Sequence, residues 1–409
     1  MKSIVANTAR ILFGIVFIFS GFVKAIDPLG FAYKIKEYIE PLGVEWFSYF
    51  ALPVAVGLCA LEFVIGACVL MGFKSRLMGL LSILFMAVMT PLTLYVAIFN
   101  PVTDCGCFGD ALVIGNWETF YKNIVFSAFA IIIFVWHKEI KPVFKSEKLQ
   151  FISAAFVTLT ILAFSAYCLY YLPIIDFRPY KIGNNIIEKM SIPEGAPKDE
   201  FEPATFIYAK DGEEREFTLQ SGDFPDSSWT FVRQGREQKL LKKGFEPAIR
   251  DFVIESAEMG EVTDWVTGNE NYLFLLAVPF VEKASTRNYE EINRIFDFAR
   301  ENGYDFFAVT ASGSEDIEAF RAKTGAAFEF FNADEKIIQA MIRANPGLIL
   351  LKNGTVYGKW SHNRLPSFDK PLDQDRWATP DTRNDGTTVL WSALIFIIPL
   401  CVLKLFDKK

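Results

Sequence analysis

Residues 101–112 read Pro101-Val102-Thr103-Asp104-Cys105-Gly106-Cys107-Phe108-Gly109-Asp110-Ala111-Leu112. Before them runs Leu77–Phe99, which carries no charge. After them comes a segment of about Glu118–Trp136, continuously apolar over Ile124–Trp136. Two thiols one residue apart, with glycines that let the backbone fold tightly around them, therefore sit between two bilayer-length segments. This arrangement decides the fold as a membrane helical bundle, and the chemistry depends on which side the loop faces.

Working outward, four more segments approach the roughly twenty apolar residues that cross a hydrocarbon layer. They are Ile4–Ala25, which contains Arg10; Phe47–Phe73, which contains Glu62; Leu149–Tyr171; and Thr388–Leu403. Composition agrees, at 52% hydrophobic and 15% aromatic with 41 Phe, outside the usual soluble range. Charge is concentrated in 176–387, enough chain for one water-exposed domain with its own core. A net charge of −7 argues against nucleic acid as a partner and leaves the lipid bilayer.

Lysine and arginine collect on cytoplasmic loops. Lys2, Lys74 with Arg76, the group Lys138, Lys141, Lys145 and Lys148, and finally Lys404, Lys408 and Lys409 all fall on one side if there are six spans. The expected placement is a bacterial inner membrane with both termini cytoplasmic. The cysteine loop and residues 173–387 are then periplasmic. No small-x-small cleavage site follows the first span, so it reads as a retained helix rather than a signal peptide.

In an oxidising compartment Cys105 and Cys107 are placed where a disulfide forms. Cys59, Cys68, Cys168 and Cys401 lie within spans and read as small apolar fillers. A bond between residues two apart closes a very small ring, strained and readily reduced, which suits exchange better than stapling. A tight turn with cysteines chosen for size stays open beside that reading. A metal site is disfavoured, because two thiolates need further ligands and His137 and His362 are the chain's only histidines.

Several spaced motifs resemble the four-helix membrane proteins of the DoxX and MauE group. They are Arg10 and Gly14, then Ser20-Gly21-Phe22-Val23-Lys24-Ala25-Ile26-Asp27-Pro28, then Leu61-Glu62 with Gly66 and Gly72, and the loop Cys105-Gly106-Cys107-Phe108-Gly109. The resemblance covers about the first 140 residues. It implies a four-helix bundle associated with thiol redox, with Cys105 and Cys107 as the reactive pair at its outer mouth. Gly106, Phe108, Gly109 and Asp110 then support the loop, and Lys24 and Asp27 form an outer-end motif.

An ionisable group in mid-bilayer is costly and faces a partner. Arg10 is the expected partner of Glu62, in a buried pair that fixes helix register. The rival reading makes Glu62 a proton carrier or quinone contact, but no feature supports a quinone or any other cofactor. Residues 31–42, with Phe31, Ile35, Tyr38, Ile39 and Leu42 at helical spacing and Pro28 and Pro41 near the two ends, predict a short helix lying on the outer face.

Beyond the fifth helix (149–172), residues 173–245 read as a linker carrying a hairpin, with Phe206-Ile207-Tyr208 and Glu216-Phe217-Thr218-Leu219 flanking Asp211-Gly212. Residues 246–372 alternate strand and helix and close on a hairpin at Asn353-Gly354, which predicts a mixed sheet with helices on both faces. The run from Asn345-Pro346-Gly347 to Asn353-Gly354 resembles the thioredoxin-like fold, in which Pro346 takes the cis-proline place. That fold's active cysteines belong near Glu282–Thr286, and 173–387 holds none. His362 reads as a surface residue, and 388–405 is the sixth helix.

The expected architecture is thus a four-helix bundle over 1–140 plus two further transmembrane helices and an α/β thioredoxin-like extracytoplasmic domain. Two functions compete. One is a thiol–disulfide oxidoreductase component exchanging disulfides or electrons with a periplasmic protein partner. The other is a non-catalytic assembly scaffold whose outer domain binds clients.

Overall fold

A computed structural model describes residues 1–409 apart from 41–42, 103–104, 219–224, 237, 383 and 408–409. Pro41, Leu42, Leu219, Lys408 and Lys409, all used in the sequence reading, lie outside the described residues. Six helices are long and apolar enough to cross a membrane, by length and composition. With the short helix α2, Pro28–Ile39, they are α1, Lys2–Ile26; α3, Ala51–Met71, extended backward by a 3₁₀ turn over Glu45–Phe50; α4, Ser75–Phe99; α5, Asn116–Val135; α6, Glu147–Tyr170; and, closing the chain, Asp385–Phe406.

Helix α2 begins where its sequence says it should. Pro28 occupies the first turn, where a missing N–H costs nothing, and the Asp27 carboxylate accepts from the Gly30 N–H at 2.8 Å as the cap.

Small residues decide how α1 meets α3. A Cβ on Gly21 would come within 2.5 Å of the Phe63 nitrogen, and one on Gly66 within 2.7 Å of the Ile18 nitrogen. The two backbones touch, the usual way helices associate where lipid removes the hydrophobic drive. Phe13, Phe17, Ile65, Val69, Met86 and Ile133 fill the core that α1, α3, α4 and α5 enclose. Val157 and Ile161 of α6 and Phe396 of the last helix pack outside it, on Cys59 and Phe63 of α3.

The bundle has a lysine-rich end and a cysteine-loop end. At the first, the Arg10 guanidinium donates to the Lys141 carbonyl at 3.0 Å, and the Lys145 N–H donates to the Asp407 carboxylate. At the other, the Ser20 hydroxyl donates to the Cys107 carbonyl at 2.6 Å.

Residues 186–252 form a separate compact unit. It holds α7, Ile186–Met190, and strands β1, Glu200–Phe201; β2, Thr205–Lys210; β3, Glu213–Thr218; β4, Thr230–Gln234; and β5, Leu240–Lys242. The expected hairpin is β2–β3, turned through Asp211 and Gly212 at positive φ. Strand β4 adds on the far edge of β2, and β1 pairs with β5. Most of what reads as linker is therefore a small β unit. The remainder, 173–185, folds with the rest of the chain and buries Ile175, Arg178 and Tyr180.

The α/β domain comprises β6, Ile254–Ser256; β7, Gly260–Glu261; α8, Thr263–Gly268; β8, Tyr272–Ala277; α9, Tyr289–Glu301; β9, Asp305–Thr310; α10, Ser314–Thr324; β10, Glu329–Ala333; α11, Glu335–Met341; β11, Gly347–Lys352; and β12, Thr355–Ser361. The last transmembrane helix is α12. One mixed sheet runs β12-β11-β8-β9-β10-β6-β7, with β8, β9 and β10 parallel and the other pairs antiparallel. Strand β8 is central and buried along its whole length, as its unbroken apolar run requires.

Alternate residues serve the two faces of the sheet. Phe274, Leu276, Ala308 and Phe328 pack on Ile292 and Ile295 of α9, whereas Phe307 and Phe331 meet Trp265 of α8. Asn353 and Gly354 turn the final hairpin at positive φ, and the Asn345–Pro346 peptide is cis.

Candidate functional site

The loop after α4 closes over the mouth of the bundle. Gly106 takes φ +64° and Gly109 φ +52°, where a side chain is strained, and the Gly109 N–H donates to the Gly106 carbonyl at 3.0 Å. This turn brings the two sulfurs to 3.1 Å as free thiols. The Tyr38 hydroxyl of α2 donates to the Cys105 carbonyl at 3.0 Å, opposite the Ser20 anchor on Cys107. Phe108 is buried and rests 5.6 Å from the Phe19 ring.

The loop's electrostatics are unequal. The hydrogen bond from Cys105 pulls the Cys107 thiol below its ordinary range, against the opposing effect of burial, and the Lys122 and Lys24 ammoniums reinforce it. Cys105 is pushed the other way, first by that same bond and then by burial. Cys107 is thus the thiol that gives up its proton more readily of the two. The Lys122 ammonium lies 4.3 Å over the Phe108 ring, which holds a cation at the loop.

Beneath the loop, the Lys24 ammonium lies 2.7 Å from the Glu62 carboxylate, both nearly fully buried. This corrects the expected Arg10–Glu62 pair. Contact of Gly21 with Phe63, and of Gly14 with Gly66 and Leu70, sets the register, so Glu62 stands level with the last turns of α1. Arg10 sits about 21 Å further along the helix axis, where it bonds the Lys141 carbonyl. Cys59, one turn before Glu62, is fully buried.

Above the loop lies the α/β domain. The Arg343 guanidinium, two residues beyond α11, reaches the Asp27 carboxylate at 2.7 Å and Asp110 of the cysteine loop at 3.6 Å. It also lies 5.4 Å over the Tyr33 ring of α2. Three residues on is Pro346. The Asn345 carbonyl accepts from the Ser285 N–H at 3.1 Å, so the segment Glu282–Thr286 lies against the same turn. His362 is half-buried, not a surface residue: its Nδ1 lies 3.0 Å from the Pro346 carbonyl, and burial lowers its pKa. Ser361 and Asn363 donate to the Tyr170 carbonyl at the end of α6.

The structure therefore gathers Cys105, Gly106, Cys107, Phe108, Gly109 and Asp110 with Lys24, Glu62 and Asp27 at one end of the bundle. It leaves Arg10 at the other. Sequence reasoning missed Lys122, Tyr38 and Arg343. Lys122, the cation in the polar first half of the fourth span, carried the only readable signal.

Residues 2–136 match the family described as methylamine utilisation protein MauE. Residues 204–243, within the small β unit, match a domain of unknown function, DUF8463. No curated protein and no solved structure matches the chain. That match spans α1 to α5, the first third of the chain.

Proposed function

We propose that the chain is a thiol-redox component of a bacterial inner membrane, exchanging a disulfide with a periplasmic protein through Cys105 and Cys107. The observation that carries this reading is the approach of the two sulfurs to 3.1 Å in a glycine-shaped turn, with cations Lys24 and Lys122 acting on Cys107. The better leaving thiolate departs from a disulfide. A partner thiolate therefore attacks Sγ of Cys105, the Cys105–Cys107 bond breaks, and Cys107 leaves as the stabilised thiolate. The partner's second thiolate then attacks its own sulfur in the mixed disulfide and expels Cys105. Two electrons pass to the chain, which becomes a dithiol, and the partner becomes a disulfide. A second disulfide or a membrane-borne carrier returns the chain to its oxidised form.

The six-span reading puts the lysine-rich end in the cytoplasm and the cysteine loop outside. The strand order and the place of Pro346 directly before β11 support a thioredoxin-like fold for the α/β domain. With no cysteine in 173–387, that domain caps and positions the loop rather than exchanging thiols.

The test is to express Cys107→Ser and search for a mixed disulfide that reductant releases, with the alkylation state of both cysteines read in whole cells. A reductant-sensitive adduct on Cys105 is expected. Wild-type behaviour of the Cys105→Ser/Cys107→Ser double variant in cells overturns the proposal and leaves the scaffold reading.

A further inference from the structure

A second feature at the cysteine-loop end has no part in thiol chemistry. A cavity of about 520 Å³ opens where α6 ends, where α12 begins, and where β12 leaves the sheet. That volume suits a small ligand or a lipid headgroup. Five cationic side chains line it, Arg178, Lys181, Lys359, Arg364 and Arg376, against the carboxylates Asp176, Asp381 and Asp385. A surplus of positive charge in a chain of net charge −7 is a local construction.

The acids are largely spoken for. Asp176 holds Lys359 at 2.6 Å and Arg178 at 2.7 Å, and Asp385 lies 3.7 Å from Lys181. What remains in surplus is hydrogen-bond donors. Arg364 and Arg376 have no carboxylate partner among the described residues. Their guanidiniums instead lie over the rings of Tyr171, at 5.8 Å, and Trp377, at 4.2 Å. Lys359 is buried and gives hydrogens to Asp176 and the Tyr180 carbonyl, which leaves its third without an acceptor among the described residues. Burial draws its pKa down to about 8, so it is still cationic at neutral pH. The indole Nε1 of Trp377, which also lines the cavity, is buried without a hydrogen-bond partner among the described residues. A buried donor left unmade is costly, and a ligand made only of acceptors removes the cost.

Location narrows the chemistry. Tyr167, Tyr170 and Tyr171 end one transmembrane helix and Asp385 starts another, so the cavity lies at headgroup level. We infer that this cavity binds a phosphate group, with Arg364 and Arg376 as the fork that grips its oxygens and Lys359 at its floor. Planar guanidiniums suit bidentate phosphate recognition, and stacking on aromatic rings fixes their orientation. The group arrives on a phospholipid headgroup or as a soluble phosphate.

The experiment uses the full chain purified in detergent and stripped of lipid. Binding of dioleoyl phosphatidylglycerol is read by native mass spectrometry, and binding of inorganic phosphate by the shift in thermal midpoint. The expected result is saturable binding of one phosphatidylglycerol, weakened by about tenfold or more in Arg364→Ala/Arg376→Ala and largely kept in Arg364→Lys/Arg376→Lys. Saturable binding of inorganic phosphate alone, lost in the alanine variant, supports the site with a soluble source. Absence of saturable binding of either probe, or equal binding by wild type and the alanine variant when both give the same unliganded midpoint, overturns the inference. If the alanine variant fails to fold, Arg364→Gln and Arg376→Gln are measured singly, and unchanged binding in both overturns it as well.

Discussion

Arg343 and Asp27, 316 residues apart in the chain, meet at 2.7 Å and fasten the α/β domain to the cysteine-loop end of the membrane bundle. Arg343 is nearly buried there, so removing either partner strands a charge. Arg343→Ala should cost on the order of 3 kcal/mol of docking and speed limited proteolysis of the α/β domain in detergent. Asp27→Ala/Arg343→Ala should recover part of that loss. Equal digestion rates for wild type and Arg343→Ala would show that the contact is idle.

The Lys24–Glu62 pair makes the same argument inside the bundle. Glu62→Leu leaves a buried ammonium uncompensated and should cost about 3–5 kcal/mol, read as a lower thermal midpoint and yield. Lys24→Leu/Glu62→Leu should be milder than either single change. Arg10→Leu should leave the Glu62→Leu penalty untouched, because Arg10 bonds Lys141 instead. Non-additivity between Arg10 and Glu62 would contradict the observed register.

That register marks the limit of what the sequence discloses. Apolar length and lysine placement reveal the spans, because both follow from the cost of putting polar groups in hydrocarbon. The Cys105–Gly109 turn, the β2–β3 hairpin and the β8–β12 core are legible for equally local reasons. The partner of Glu62 is not, since it depends on how deeply Gly14, Gly21 and Gly66 let two backbones interlock. Arg343 could not be foreseen as part of the loop's frame, because nothing local in its sequence encodes a contact 316 residues away. The six-residue α8 is too short to show a helical period.

Those glycines offer a direct test. Gly21→Ala puts a methyl group 2.5 Å from the Phe63 backbone nitrogen, and backbone cannot turn aside as a side chain does. The expected loss is about 1–3 kcal/mol, measured as a reduced thermal midpoint in detergent. Gly57→Ala, with open space around its Cβ and a place inside α3, should cost nothing and raise the midpoint slightly if it moves at all. Equal effects from the two substitutions would count against tight α1–α3 packing.

Reactivity of the two thiols should separate with pH. Cys107 is held below the ordinary thiol range, so its thiolate persists into mildly acidic solution and is lost only as pH falls through that lowered value. Cys105, pushed upward, should label only in alkaline solution. Iodoacetamide labelling of the reduced protein, followed peptide by peptide, should give two separated profiles. Lys122→Gln should move the Cys107 curve toward higher pH. Coincident profiles, or a curve indifferent to Lys122, would remove the basis for assigning Cys107 as the leaving sulfur.

Attachment at both ends has a mechanical result. The α/β domain hangs from α6 on one side and α12 on the other, and Arg343 pins it at a third point. A module tethered this way cannot swing out to meet a distant substrate as one on a single flexible stalk would. Its local concentration over the sulfur loop is set permanently by the chain. Any partner of the loop has to come to the membrane and fit beneath a fixed roof, so access to that gap becomes a natural point of selection.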